Sequence, residues 1–549
     1  MSGAPRVLVA DPLPAEALEA FRARGLEVVD RAGQGREAVL EALPGCAALV
    51  VRSGTRVDRP LLEAAAGLRV VGRAGTGVDN IDLEAATARG VLVLNTPGEN
   101  TLSAAEHTLA LLLALARRIP EAAASMREGR WERKAFLGTE LLGKTAGVVG
   151  LGRIGREVAL RLRAFGMTVL AYDPYLAPEA AAELGVEATG LEDLLRRSRV
   201  VTLHVPRTEQ TENLLDAHRL ALLPEGALVV NAARGGLVDE AALLEALERG
   251  RLGGAALDVF REEPLAADSP LRSHPRVLLT PHLGASTAEA QRKVGLRIAE
   301  QIAAFLLEGE VRSAVNLWSL DAPAARRLAP YAVLGRALGR LAVQLLEEPR
   351  HLARLEVELA GSLLELPREA LLASVLEGVL GSILDLPVNA VNARSLAAER
   401  GLPVALVEGT DTDGYAGLLT VRVRPEEGRE LLLAGTVFGE RYPKAVRIDD
   451  FHVETRLKGA MLLVRNDDRP GRLAAITRVI AEHGVNIADM ALGRERRSGQ
   501  ALAVLHLDSP LPEGGLREMR AVPGVSRVQV LRFPAQAEAA PAPAAAGRG

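Results

Sequence analysis

The stretch GVVGLGRIGREVALRLRAFGMTVLAYDP, residues 147 to 174, constrains the fold more than any other part of the chain. Val148 and Val149 run into Gly150, which predicts a short buried strand ending in a glycine turn. Ile154, Val158, Leu162 and Phe165 recur at helical spacing, so one apolar face is expected on a helix from about Arg153 to Phe165. MTVLAYD then predicts a second strand. In such a strand–helix–strand unit Gly150, Gly152 and Gly155 have separate tasks: a tight turn, a close backbone approach to a pyrophosphate, and close packing of helix on strand. The phosphates would meet the helix N-terminus, covered by Arg153 and Ile154. Asp173 ends the second strand, where a carboxylate accepts hydrogen bonds from both ribose hydroxyls and repels a ribose phosphate. The unit therefore predicts NAD rather than NADP.

At 549 residues the chain exceeds one core, and about 150 residues per domain predicts three or four domains. A net charge of -4 with both signs interspersed excludes a nucleic-acid stripe or a polybasic membrane patch. The longest apolar run, TLALLLALA after His107, is about half of what a bilayer crossing needs and predicts a buried helix. The N-terminus enters a strand without a signal region, and the single Cys46 has no disulfide partner, so a cytoplasmic location is expected. No HxxxH, CxxC or carboxylate cluster points to a metal. His107 and His204 are expected to be structural.

Residues 6 to about 96 alternate apolar strands with helical stretches, and a second α/β run continues through VVTLHVP and GALVVNAARGG to RVLLTPHLGAS. A helix from about Thr287 to Leu307 would return the chain to the first lobe. The expected organisation is a discontinuous substrate-binding domain, 1–96 and 287–316, with a flavodoxin-like fold. A Rossmann-type domain occupies 97–286, an α+β intervening domain 317–455, a ferredoxin-like domain 459–534 and a disordered low-complexity tail 535–549. Two lobes crossed twice by the chain leave a cleft, the usual place for a ligand.

VGRAGTGVDNID, GLGRIGREVA, NAARGGLVDEAAL, GAALDVFREEP and PHLGAST occur in the order seen in the D-isomer-specific 2-hydroxyacid dehydrogenases, which the chain resembles. Its length is similar to the long branch that oxidises 3-phosphoglycerate to 3-phosphohydroxypyruvate with NAD, the first step of L-serine synthesis. The resemblance implies His282 as the base for the hydroxyl proton, Glu263 as the acid that orients it, and Arg234 as the carboxylate clamp. Glu262 is adjacent, but the family motif places the acid immediately before the proline. Asp258 matches a position facing the nicotinamide carboxamide. Thr76, Ala232, Ala233, Gly284 and Ala285 match further cofactor contacts. Arg52, Ser53 and Arg73 make a phosphate cradle, Gly75 and Gly77 offer N–H groups to a carboxylate, and Asn100 stands at an expected hinge, TPGENT. Arg133 or Lys134 would add charge from a neighbouring subunit of a homodimer or homotetramer.

RNDDRPGRLAAITRVIAEHGVNIADM looks like an ACT domain, a family that binds amino acids at domain interfaces. The resemblance implies an L-serine effector site made by Asn466, Asp468 and Asn486, with Asn486 brought near the start of the helix that follows DRPG. Serine-inhibited relatives carry tyrosine or histidine where this chain has Asn466. Arg441, Lys444 and Arg447 offer an alternative anionic effector site. Two other functions fit the catalytic core: reduction of another small 2-keto acid such as glyoxylate or hydroxypyruvate, and an NAD-responsive binding protein similar to the corepressors, which lack the C-terminal domains.

Overall fold

Strands β1 Arg6–Val9, β2 Glu27–Asp30, β3 Ala48–Val51, β4 Val70–Arg73 and β5 Leu92–Leu94 form a parallel sheet in the order β2-β1-β3-β4-β5. This is the flavodoxin-like doubly wound order. Every residue of β3 is buried, as continuous apolar strands require when helices cover both faces. The long helix Ala288–Glu308 packs here through Val294, Ile298 and Ile302, which share a core with Val7, Val9, Val70 and Leu92. The chain then runs along the edge of β5. Val315 N–H donates to Val93 O, Asn95 N–H donates to Ser313 O, and the Asn316 side chain bonds the backbone of Val91 and Val93. The computed structural model describes residues 4–175, 178–318, 322–346, 352–384, 386–495 and 498–534, so the expected tail lies outside the described residues.

The second sheet is also parallel. Its strands are β6 Thr145–Val149, β7 Thr168–Tyr172, β8 Glu187–Ala188, β9 Val200–Leu203, β10 Ala227–Asn231, β11 Leu252–Leu257 and β12 Val277–Leu279, ordered β12-β11-β10-β9-β6-β7-β8. The strand order reverses between β6 and β9, and ligands of such sheets bind in the crevice outside that point. Helices Thr101–Arg117 and Arg153–Ala164 cover one face. The second of these ends one residue earlier than its apolar spacing predicts. Val158 and Leu162 are fully buried, but Phe165 is the C-cap, and Gly166 at φ +73° turns the chain toward β7, which leaves the ring 42% exposed.

A mixed third sheet holds β13 Leu352–Gly361, β14 Val404–Gly409, β15 Gly417–Pro425, β16 Leu431–Phe438, β17 Tyr442–Ile448 and β18 Phe451–Thr455, in the order β14-β13-β15-β16-β17-β18. Helices Ala322–Leu345 and Arg368–Leu380 cross on it at close range: a Cβ on Gly339 would come 2.3 Å from Val375 O.

The fourth sheet is antiparallel and ferredoxin-like, with β19 Ala460–Asp467, β20 Ile487–Glu495, β21 Gln500–Leu507 and β22 Val525–Arg532 ordered β20-β21-β19-β22. Helices Arg472–Glu482 and Glu513–Ala521 cover one face. The other face shares a core with the third sheet, where Met461, Leu463, Val504 and Leu531 meet Phe451 and Val453. Among the described residues no helix is long and apolar enough to cross a membrane.

Candidate active site

The glycine loop leaves β6 at the switch point, and the three glycines differ in what surrounds them. Gly150 has φ +92°, and a Cβ there would lie 2.6 Å from His204 O. A Cβ on Gly155 would sit 1.9 Å from Gly150 O, so helix and strand meet there only through glycine. Around Gly152 no atom lies within 4 Å of the corresponding position, which leaves open space at the N-terminus of helix Arg153–Ala164. A helix N-terminus approached this freely can receive a pyrophosphate. Asp173 accepts from Leu151 N–H at 2.9 Å and Tyr175 N–H at 3.0 Å, which sets its carboxylate beside the glycine loop. The residues present suit NAD.

Across the same crevice, the loop after β12 carries His282 in a left-handed conformation at φ +55°. Such a backbone is strained for a residue with a side chain and persists where its surroundings fix it. Buried Asp258, just past β11, supplies the grip. Its carboxylate accepts from Leu283 N–H at 2.7 Å and Gly284 N–H at 2.9 Å, and its carbonyl accepts His282 N–H at 2.8 Å. His282 Nδ1 lies 2.7 Å from Glu263 Oε2, while Glu263 Oε1 accepts Phe260 N–H at 3.1 Å. Burial alone would raise the Glu263 carboxyl, but the bond to His282 and its charge outweigh this and hold it below the usual carboxylate range. The structure thus brings Glu263, not Glu262, to the histidine.

His107, expected to be structural, belongs to this network. Its Nε2 is 3.0 Å from Asp258 Oδ1 and 3.3 Å from Thr280 Oγ1, and Thr280 itself donates to Asp258 Oδ1 at 2.6 Å. Asp258 is likewise held below its ordinary value, since these hydrogen bonds outweigh its burial. The sequence signal was a histidine in the first turns of an otherwise apolar helix. Ser103, one turn earlier, donates to Gly284 O at 2.9 Å. His204 follows β9 beside Thr202 Oγ1 at 3.0 Å, and desolvation pushes it down to about 3.

Arginines of the two lobes come together at Arg73, where the charges of Arg234 and Arg52 both act. Arg234 follows Ala232 and Ala233 in the loop after β10, and Asn231 Nδ2 fixes that loop by donating to Arg234 O at 2.9 Å. Arg73, at the end of β4, is half-buried with no partner for its buried Nε, and desolvation together with the charges of Arg234 and Arg52 pushes it down to about 10. Arg52 follows β3 on a loop organised by Asp11, which accepts from Arg52 N–H, Thr55 N–H and Thr55 Oγ1. Ser53 lies exposed on that loop. Thr76 Oγ1 and Asn100 Oδ1 are 2.8 Å apart where the chain crosses between lobes.

Three expectations need correction or extension. Gly75 does not present its N–H to a ligand: it donates to Arg73 O at 2.8 Å, and the glycine instead makes room for the Arg73 guanidinium, which a Cβ would meet. Asp79, in the GVDN turn, pairs with Arg234 at 3.1 Å and was missed. In the fourth sheet, Asn486 is not near the start of helix Arg472–Glu482. The helix is 11 residues long and Asn486 follows its far end, where it donates to Asp508 Oδ2 at 2.7 Å. Asp468 sits past the opposite end of β19, bonded by Arg494 at 2.7 Å, and eight strand residues separate the two ends by about 26 Å. Asn466 is buried in the central strand. Among the alternative effector residues, Arg447 Nε donates to Asp449 O, while Lys444 lies over the Phe438 ring and Arg441 over Tyr442. Arg133 and Lys134 occupy a short exposed helical turn, Arg133–Phe136.

A dinucleotide crevice facing a histidine–carboxylate pair and a cleft lined with arginine defines an NAD-dependent dehydrogenase of hydroxy acids. The family description "D-isomer specific 2-hydroxyacid dehydrogenase, NAD binding domain" matches residues 109–284, "D-3-phosphoglycerate dehydrogenase intervening domain" matches 327–449, and "ACT domain" matches 460–524. The chain is 42% identical to D-3-phosphoglycerate dehydrogenase of Archaeoglobus fulgidus, over 95% of this chain and 98% of the relative. It is 37% identical to that of Bacillus subtilis, over 96% and 100%. Among solved structures, a Thermus thermophilus protein (41% identity, TM-score 0.53) and D-lactate dehydrogenase of Escherichia coli (30%, 0.51) each cover 56% of this chain and 99% of their own. The chain belongs to the D-3-phosphoglycerate dehydrogenase family.

Proposed function

We propose that the chain oxidises the C2 hydroxyl of 3-phosphoglycerate to give 3-phosphohydroxypyruvate, opening the route to L-serine. The pairing of His282 Nδ1 with Glu263 at 2.7 Å carries this reading, because it leaves Nε2 to take the hydroxyl proton while Glu263 stabilises the imidazolium that forms. NAD, when bound, supplies the acceptor for the hydride. Arg234 receives the substrate carboxylate, and Arg73, a half-buried cation with an unpartnered Nε, receives the phosphate with Arg52 and Ser53. The test is NAD reduction with 3-phosphoglycerate, glycerate and D-lactate. Efficient use of the first alone supports the proposal, and replacing Arg52 or Arg73 with alanine should raise its KM. Equal use of glycerate, or preference for an unphosphorylated 2-keto acid in reverse, would reject the phosphate cradle.

A homo-oligomer fits the apolar surface of the second lobe, where Trp131, Leu137 and Leu142 are 76%, 87% and 72% exposed close to Arg133 and Lys134. An L-serine site using both Asp468 and Asn486 requires two chains, since one chain holds them at opposite ends of a sheet. Calorimetric titration of serine into wild-type and Asn486→Ala protein tests it: saturable heat lost in the variant supports the site, and no heat at millimolar serine leaves the fourth domain a structural role.

A further inference from the structure

Arg234 reaches across the cleft to the first lobe, and its partner there is a carboxylate of the protein. Asp79 Oδ2 lies 3.1 Å from Arg234 Nε. The guanidinium is seated over Gly77, where a Cβ would come 2.3 Å from Nη2 and 2.8 Å from Asp79 Oδ2, so the glycine is what lets the pair form. Arg234 Nη1 is held by Ala233 O at 2.6 Å.

The charges around the pair indicate what Asp79 does. The charges of Arg234 and Arg52 both act on Arg73, and the carboxylates opposing them there are Asp79 and Asp11. Asp11 is committed to the loop after β3 through Arg52 N–H, Thr55 N–H and Thr55 Oγ1, so it cannot leave without unravelling that loop. The Asp79 side chain is 66% exposed, whereas that of Arg234 is 29% exposed. Asp79 can therefore swing into water at little cost, while Arg234 stays in place.

We propose that Asp79 is a resident, displaceable counter-ion: it occupies Arg234 in the ligand-free chain and is exchanged for the carboxylate of the incoming substrate. It is a positioning residue for Arg234, and the inference rests on the role given to Arg234 above. Exchange of one carboxylate for another makes Asp79 a competitor of every carboxylate ligand. Its removal lowers the KM for 3-phosphoglycerate and the inhibition constant of a simple carboxylate by a common factor. A partly exposed ion pair sets that factor at about two- to fivefold at low ionic strength, shrinking as salt is added.

The experiment compares wild type, Asp79→Asn, Asp79→Glu and Arg234→Ala, using 3-phosphoglycerate as substrate and acetate as the carboxylate probe. The expected result is a parallel fall of KM and of the acetate inhibition constant in Asp79→Asn, diminishing with salt, with wild-type values restored by Asp79→Glu. A raised or unchanged KM in Asp79→Asn, in protein whose Arg234→Ala variant loses substrate affinity, overturns the exchange. If Arg234→Ala binds substrate as tightly as wild type, it is the assignment of Arg234 that fails.

Discussion

Nε2 of His107 lies 3.0 Å from Oδ1 of Asp258, beneath the loop that carries His282. The two residues are 151 positions apart and come from different elements, a helix at the lobe crossing and the end of β11. Because Asp258 holds the N–H groups of Leu283 and Gly284, the state of His107 reaches the base through one carboxylate. Replacing His107 with leucine leaves that buried carboxylate short of a donor and should cost about 1–3 kcal/mol of stability, read by denaturant unfolding. Turnover should fall with it, and His107→Gln, which keeps a donor, should recover part of both.

His282→Ala should lower kcat by about a hundredfold or more, the scale of a lost positioned base, with NAD affinity measured by fluorescence unchanged. Glu263→Gln should lower kcat by about tenfold or more, because an amide does not stabilise the imidazolium. The carboxyl of Glu263 is held low in the folded chain, so its contribution to stability is present above the ordinary carboxylate range and is lost as pH falls through the lowered value. Melting curves between pH 5 and 3 should show that loss in wild type and not in Glu263→Gln.

Asp173→Ser should narrow the preference for NAD over NADP, measured as the ratio of kcat/KM values. Gly152→Ala should weaken NAD binding without destabilising the fold, since the added methyl enters open space. Gly155→Ala should instead destabilise the protein, because its methyl would enter a backbone contact. A thermal melt beside an NAD titration separates the two glycines.

His204 gives a second pH dependence. Its folded value is pushed down to about 3 by burial, from an ordinary 6.5, so unfolded chains take up a proton that folded chains refuse. Stability should fall as pH drops below about 6.5, and His204→Asn should flatten that slope in denaturant titrations at pH 7.5 and 5.

What the sequence made legible was local. The β6 strand, its helix and Asp173 lie within 29 consecutive residues, and the spacing of glycines and apolar side chains determines their arrangement. Glu263 and His282 were legible through family motifs; Glu262 is chemically identical to its neighbour, and in the fold the bonds to His282 and Phe260 mark out Glu263. His107 and Asp79 were not legible, because each acquires its meaning from a partner on another element. A histidine on an apolar helix and an aspartate in a turn carry no mark of what the fold will set beside them. Asn486 was misplaced for a related reason: two turn motifs suggested nearness, but the helix between them carries the chain to the far end of the sheet.

The pairing of Ser313–Asn316 along β5 bears on how this protein can be divided. A catalytic fragment ended after helix Ala288–Glu308 would strip the backbone partners from β5 and leave an apolar strand, Leu92–Leu94, with a bare edge that invites self-association. Extending the fragment through Asn316 retains the covering segment and the side chain that seals it, so the natural point of scission lies beyond that asparagine, in the chain that leads to the third sheet.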